Sequence, residues 1–306
     1  MIKNTGELQV RDRINLKWYD DSYIYSDGDI EIEILAKLEQ GITPDNMLIS
    51  DNRCPIIYHF SPERQTIIDW IDDIRGAEVL EIGSGMGAIT GGLCQLAKHV
   101  DCIELSLTRS KINQLRNSSH DNFEIIVANL NDVEFNKQYD IVTLIGVLEY
   151  CGRYTEDERD PYLAFLEKAY SLLKPGGKLI LAIENRLGLK YFAGAREDHY
   201  GTLYEGLNNY PNYQGIKTFS YQELRELFTA LNCQELDFYL PFPDYKFAQT
   251  IVAADDTDHY ATAITQEDNY GAYPFQTFNQ STVFQTLAEQ SDFKQFANSY
   301  LVIAEK

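Results

Sequence analysis

Ala77-Glu78-Val79-Leu80-Glu81-Ile82-Gly83-Ser84-Gly85-Met86-Gly87 is the stretch whose reading decides the fold. Val79, Leu80 and Ile82 form a short apolar run suited to a parallel strand buried on both faces. Three glycines at alternate positions then let the chain turn tightly against a ligand. The pattern predicts a strand, a glycine turn and a helix, with a nucleotide-like cofactor at the turn. Gly83-Ser84-Gly85-Met86-Gly87-Ala88 also satisfies G-x-G-x-x-G/A, and Glu104 closes the next apolar run at about the dinucleotide-fold spacing. The loop by itself therefore leaves an NAD(P)-dependent oxidoreductase open.

Outward from the loop, apolar runs at 78–82, 100–104, 124–127 and 139–144 alternate with helical patterns at 88–97 and 108–116. Such alternation predicts right-handed crossovers and a parallel sheet with helices on both faces. Ligands of these sheets sit at the carboxyl ends of the strands, where strand order reverses. A helix with Leu163, Leu166, Ala169, Tyr170 and Leu173 on one face stops at Lys174-Pro175-Gly176-Gly177, before a strand over 178–183. Ser220 caps a further helix carrying Leu224, Leu227, Phe228 and Leu231, and strands follow at 234–240 and 300–304. The roughly sixty residues between those last strands exceed any hairpin connection and predict an inserted substructure. Before the loop, Ser61-Pro62 marks a helix start, with Ile67, Ile68, Ile71 and Ile74 at helical spacing. Residues 1–60 contain a helix over 29–38 but little other periodicity, and they read as an N-terminal extension or cap. Residues 61–306 then form the cofactor-binding domain, with insertions at about 185–219 and 241–298.

The 306 residues include 47 Asp and Glu against 26 Lys and Arg, a net charge of −21. Proteins that grip a phosphate backbone cluster Lys and Arg, so a nucleic-acid acceptor is not expected. The acidic surplus reads as a solvated surface. Five cysteines lack any C-x-x-C pair, and the histidines make no ligand-spaced cluster with them, so neither a disulfide framework nor a bound metal is expected. The start Met1-Ile2-Lys3-Asn4-Thr5 has no apolar signal region, and no run is long enough to span a bilayer. The expectation is a cytoplasmic protein; the oligomeric state is not legible.

Four stretches, in order, resemble the class I S-adenosylmethionine (SAM) methyltransferases. They are Glu81 to Gly87, read as E-x-G-x-G-x-G; Ala128-Asn129-Leu130; Tyr139-Asp140-Ile141-Val142 through Gly146-Val147-Leu148-Glu149-Tyr150; and Leu172-Leu173-Lys174-Pro175-Gly176-Gly177-Lys178-Leu179. The resemblance implies a Rossmann-like, seven-stranded, mostly parallel sheet with helices on both faces and the last strand antiparallel. It implies SAM as cofactor, with Gly83, Gly85 and Gly87 along its methionine part, Glu104 on the ribose hydroxyls, and Asn129 and Leu130 at the adenine. Gly146 lies in the fourth motif beside the same site. Glu81 is expected to orient the cofactor's amino group, directly or through water. The family usually has histidine where Tyr150 stands. Tyr170 and Lys174 match the Y-x-x-x-K spacing of short-chain dehydrogenases, but core packing and a lysine at a helix C-terminus account for them better. A SAM-binding module without catalysis is a third reading.

More narrowly, Asn185 to Ala195, Pro241-Phe242-Pro243-Asp244-Tyr245-Lys246 and Phe296-Ala297-Asn298-Ser299-Tyr300 resemble bacterial methyltransferases that accompany glycosyltransferases in surface-polysaccharide synthesis. That implies a sugar or glycan acceptor and a glycosyltransferase neighbour; a small-molecule N-methyltransferase is the alternative. Tyr191, Phe192, Tyr200, Tyr204, Tyr210 and Tyr213 are expected to form the acceptor site, because rings with hydroxyl tips suit a partly polar acceptor. A sugar hydroxyl needs a group that takes its proton. His199, within Arg196-Glu197-Asp198-His199-Tyr200, is the first candidate, with Asp198 or Glu197 orienting it, and His59 is the second. His99 and His120 fall on the approaches to strands at the other end of the sheet.

Overall fold

A computed structural model describes residues 12–306 except 24, 27, 156–159, 261–274 and 291–292. Its strands are β1 (Ile14–Asn15), β2 (Glu78–Ile82), β3 (His99–Glu104), β4 (Phe123–Val127), β5 (Tyr139–Ile145), β6 (Leu173–Glu184), β7 (Glu235–Phe242), β8 (Thr250–Ala253) and β9 (Ser299–Glu305). They form one sheet of order β1-β4-β3-β2-β5-β6-β9-β7-β8. The expected count of seven is corrected to nine. The two additions are short edge strands, β1 parallel to β4 and β8 antiparallel to β7. The last strand is antiparallel as expected, and it runs between β6 and β7 rather than at an edge.

Strand order reverses between β2 and β5, whose parallel register pairs Glu81 with Thr143 and Ile82 with Leu144. The crevice that the reversal opens lies beyond the carboxyl ends of these two strands. Alternation along the strands divides the core. Leu80, Ile82, Val142, Leu144, Leu179 and Leu181 face one layer. Val79, Val100, Cys102, Ile141, Ile180 and Ile303 face the other. The central strands are buried on both faces, so their sequence is almost continuously apolar.

Helices α1 (Asp29–Glu39), α2 (Pro44–Ser50) and α3 (Cys54–Phe60) form the N-terminal segment, whose Ile34, Leu38, Met47, Ile56 and Phe60 pack with Met86 and Ile112. Met86 belongs to the glycine turn, and Ile112 to α5 (Leu107–Arg116), which follows β3. The segment thus closes over the cofactor loop rather than standing apart. Helix α4 (Thr90–Leu96) leaves the loop two residues later than expected. The helix expected from Ser61 to Ile74 is instead two 3₁₀ turns, Pro62–Ile67 and Asp72–Ile74. Its four isoleucines are still buried. Gln65 and Thr66 anchor the bend by donating to the carbonyls of Ala88 and Ala248. Helices α6 (Cys151–Tyr154), α7 (Pro161–Ser171), α8 (Leu189–Phe192) and α9 (Tyr221–Ala230) complete the region up to β7. Helix α9 starts at a capping box between Ser220 and Glu223. Among the described residues, the insertion between β7 and β9 contains β8 and the helices Gln280–Ala288 and Phe293–Phe296. Within the same limit, no helix is long and apolar enough to cross a membrane.

Candidate active site

Two positive-φ glycines build the floor of the crevice. Gly83 ends β2 at φ +72°, with its N–H donating to Ile103 O at 2.8 Å. Gly146 ends β5 at φ +70°. A Cβ on Gly83 would lie 2.4 Å from Val147 Cγ2, at a positive φ that favours glycine. Gly85, at φ +53°, has nothing within 4 Å of its would-be Cβ and leaves open space over the loop. Gly87 serves differently. Its carbonyl accepts from Asn117 at 3.1 Å, and a side chain there would strike Asn113.

Glu104, at the end of β3, is 5 % exposed and accepts the N–H groups of Gly85 and Ser106, both at 2.8 Å. Burial raises its pKa despite the nearby Arg109. Glu81 accepts the hydroxyl of Thr90 at 2.6 Å and the thiol of Cys102 at 3.4 Å. Burial pushes its pKa from 4.5 up to about 7. Asn129 spends its amide on structure, donating to Tyr154 O at 2.9 Å and accepting Asn131 N–H at 3.1 Å. Leu130 lies beside it.

Two cavities meet over this floor. One, of about 110 Å³, is lined by Gly85, Glu104, Ala128, Asn129, Leu130 and Phe165 among others. The second, of about 310 Å³, runs from Glu81 and the glycine turn to Glu149, Glu184, Asp198, His199, Tyr245 and Lys246, with His59 and Tyr58 on its wall. Tyr25, Gly83, Gly85, Arg109, Gly146 and Tyr150 line both. The smaller sets an acid and backbone groups against an apolar wall, and the larger continues past Gly85 among carboxylates and rings. The chain thus has the donor set and the open loop that SAM requires.

The sequence-based candidates His199, Asp198 and His59 all come to the larger cavity. His199 Nδ1 lies 2.9 Å from Glu197 Oε1, and its Nε2 lies 3.8 Å from Glu149 Oε1. Burial alone would lower the His199 pKa, but the carboxylates of Glu149 and Glu197 outweigh it and hold it well above 6.5. Asp198 contacts Lys190 at 2.9 Å and Lys246 at 3.4 Å and accepts the Tyr191 hydroxyl at 2.5 Å. Burial works against its ionisation, and the two lysines reverse that and keep its pKa low. Lys246 also pairs with Glu184, and Lys190 with Asp244 at 3.1 Å. His99 bonds Asp101 at the far end of β3, away from the crevice.

The aromatic expectation is corrected. None of Tyr191, Phe192, Tyr200, Tyr204, Tyr210 and Tyr213 lines either cavity. Tyr200 and Tyr210 bond within their own insertion, to Ile216 O and Thr218, while Phe192, Tyr204 and Tyr213 are exposed. The tyrosine rings that line the larger cavity are Tyr25, Tyr58, Tyr150 and Tyr245. Tyr150, in the position where histidine was expected, sits edge-on between Tyr25 and His199, each 5.3 Å away. Glu149 and Glu184 were not singled out from sequence. Their signal was an acid in the turn after β5 and another at the end of β6, the next parallel strand, both beside the crevice.

Residues 80–179 match the family model of a methyltransferase domain. The match covers 100 of the 306 residues. Over 125 residues, 39 % of the chain, its sequence is 28 % identical to the ubiquinone biosynthesis O-methyltransferase of Pseudomonas aeruginosa (strain UCBPP-PA14), covering 50 % of that protein. Over 133 residues, 42 % of the chain, it is 29 % identical to the enzyme of that name from Xanthomonas oryzae pv. oryzae (strain PXO99A), covering 52 % of it. The chain spans about half the length of these curated relatives. Among solved structures, a SAM-dependent methyltransferase from Thermotoga maritima, described as a possible histamine N-methyltransferase, aligns with a TM-score of 0.47 at 15 % identity, covering 90 % of this chain and 99 % of that one. Gly83, Gly85, Glu104, Arg109, Asn129 and Gly146 of the crevice lie within the matched residues, and Tyr25 precedes them. Glu184, His199, Tyr245 and Lys246 come from the chain beyond them.

Proposed function

We propose that this methyltransferase acts on a hydroxyl of a small polyhydroxylated acceptor, a sugar or a glycan terminus, as a partner of glycosyltransferase chemistry. The observation that carries the reading is the composition of the larger cavity past Gly85: the carboxylates Glu149, Glu184 and Asp198 face it together with the rings of Tyr58, Tyr150 and Tyr245. Carboxylates accept paired hydrogen bonds from neighbouring hydroxyls, and ring faces cover the apolar side of a sugar. When bound, SAM would supply a methyl carbon on a sulfonium, open to in-line attack by an acceptor oxygen, with the C–S bonding pair leaving on the sulfur of S-adenosylhomocysteine. The residues of the crevice do the rest. Glu104 is proposed to hold the ribose hydroxyls, and Glu81 the amino group. Tyr25 and the N-terminal helices keep water out, and alignment of the acceptor supplies much of the acceleration. His199, oriented by Glu197, is the proposed acceptor of the hydroxyl proton, and His59 is the second candidate; Asp198, offered with Glu197 as an orienting partner, pairs with Lys190 and Lys246 instead. Methyl transfer from labelled SAM to nucleotide sugars and oligosaccharides, with small amines and phenols in parallel, tests the reading. Turnover on sugars supports it; turnover confined to amines or phenols overturns it.

A further inference from the structure

Glu149, Glu184 and His199 converge at the end of the acceptor cavity, with one ligand atom from each lying within 4.8 Å of the others. They come from the turn after β5, the end of β6 and the connection that follows α8, so only the fold unites them. Glu149 and Glu184 are each 1 % exposed. The Oε2 atom of each is buried without a hydrogen-bond partner among the described residues. A buried carboxylate oxygen in that condition is costly unless something meets it. Two of them at one cavity wall mark a place built for a guest that donates or carries positive charge.

The histidine narrows what that guest is. His199 Nδ1 is taken by Glu197 Oε1 at 2.9 Å, which fixes the ring and turns Nε2 toward Glu149. A carboxylate behind a histidine whose other nitrogen faces two further carboxylates is the arrangement that orients an imidazole for a metal ion. Lys246 touches Glu184 Oε1 and not Oε2, and it has Asp198 and Asp244 as further partners, so it leaves an oxygen of Glu184 available.

We propose that Glu149, Glu184 and His199 bind one divalent cation of the kind that takes oxygen and imidazole donors, as Mn²⁺ does. This reverses the sequence-based expectation of no metal. The inference rests on the acceptor reading above and deepens it: a cation here faces the acceptor cavity, where it fixes an acceptor hydroxyl and makes its proton easier to lose. His199 is then a ligand, and His59 receives the proton.

The test uses the full chain with S-adenosylhomocysteine and Mn²⁺, and no acceptor. Titration followed by electron paramagnetic resonance is expected to find one bound Mn²⁺ per chain, with a nitrogen coupling from imidazole in the pulsed spectrum. Glu149→Gln and Glu184→Gln should each weaken Mn²⁺ binding at least tenfold, and His199→Asn should remove the nitrogen coupling. Retained S-adenosylhomocysteine binding reports that each variant is folded. Asp256→Asn, at the exposed His259–Asp256 pair, should change nothing. No Mn²⁺ bound to the wild-type chain, or binding equal to wild type in all three cluster variants, overturns the site. Sugar methylation at full rate in chelator would sink the cation and leave the acceptor reading standing. Bound Mn²⁺ with no turnover on any sugar would do the opposite.

Discussion

Glu104 carries the cofactor reading at the scale of one residue. Its oxygens already order Gly85 and Ser106, and each retains a lone pair for a ribose hydroxyl. Glu104→Ala should weaken SAM binding by about 1.5–3 kcal/mol in calorimetry. An unchanged affinity in a folded variant would put the ribose elsewhere. Glu81 makes a pH prediction. Its folded pKa of about 7 lies above the ordinary 4.5, so between those values the folded chain holds a proton that the unfolded chain has released. Stability from this group therefore falls as pH rises from 4.5 to about 7, by on the order of 3 kcal/mol. Glu81→Gln should flatten that slope in denaturant melts. The ammonium of SAM favours the carboxylate, so SAM affinity should climb toward neutral pH and level off above about 7. A profile as flat in the wild type as in Glu81→Gln would place the amino group out of reach of this acid.

The glycine turn is the element on which the domain depends, and its glycines are not equivalent. Gly83→Ala drives a methyl group into Val147 at a left-handed position, and we expect a loss of folding stability of about 2 kcal/mol or more. Gly85→Ala meets no neighbour, so its stability cost should stay near 1–2 kcal/mol while SAM affinity drops more sharply, since the methyl projects over both cavities. Urea melts and calorimetry on the two variants check the order. A Gly85 variant that binds SAM normally would show that the cofactor does not cross this turn. Element bounds were legible wherever one period dominated: 78–82 coincides with β2, and Ser220 does cap α9. They were not legible at 61–74, because isoleucines spaced for one helical face also serve two short 3₁₀ turns pinned by Gln65 and Thr66.

At the scale of the molecule, the N-terminal helices are fastened to the cofactor domain by a buried ion pair. Glu31 on α1 accepts from Arg109 Nε on α5 at 2.7 Å, with both side chains nearly inaccessible. Breaking such a pair from one side costs about 3–5 kcal/mol. Glu31→Ala should therefore raise hydrogen exchange across residues 29–60. Because Arg109 lines both cavities, SAM affinity should fall at least tenfold with it. Full SAM affinity with the helices demonstrably loosened would mean that they are a cover with no part in binding.

The sequence by itself determined the parallel core, the glycine turn and the acid that ends β3. Each is encoded locally, by apolar runs, glycines that only a left-handed turn requires, and a fixed spacing from strand to strand. It also pointed to His199 and Asp198, through one short run on the connection after β6. Tertiary structure alone decided what surrounds them. Glu149, Glu184, Lys246 and Tyr245 reach the same cavity from positions up to 97 residues apart, because β5, β6 and β7 bring their carboxyl ends to one side of the sheet. The aromatic run from Tyr191 to Tyr213, locally the better candidate, turned inward to satisfy its own insertion or out to solvent. A composition of rings and hydroxyls fixes an affinity for sugars or for itself equally well, and only packing chooses between them.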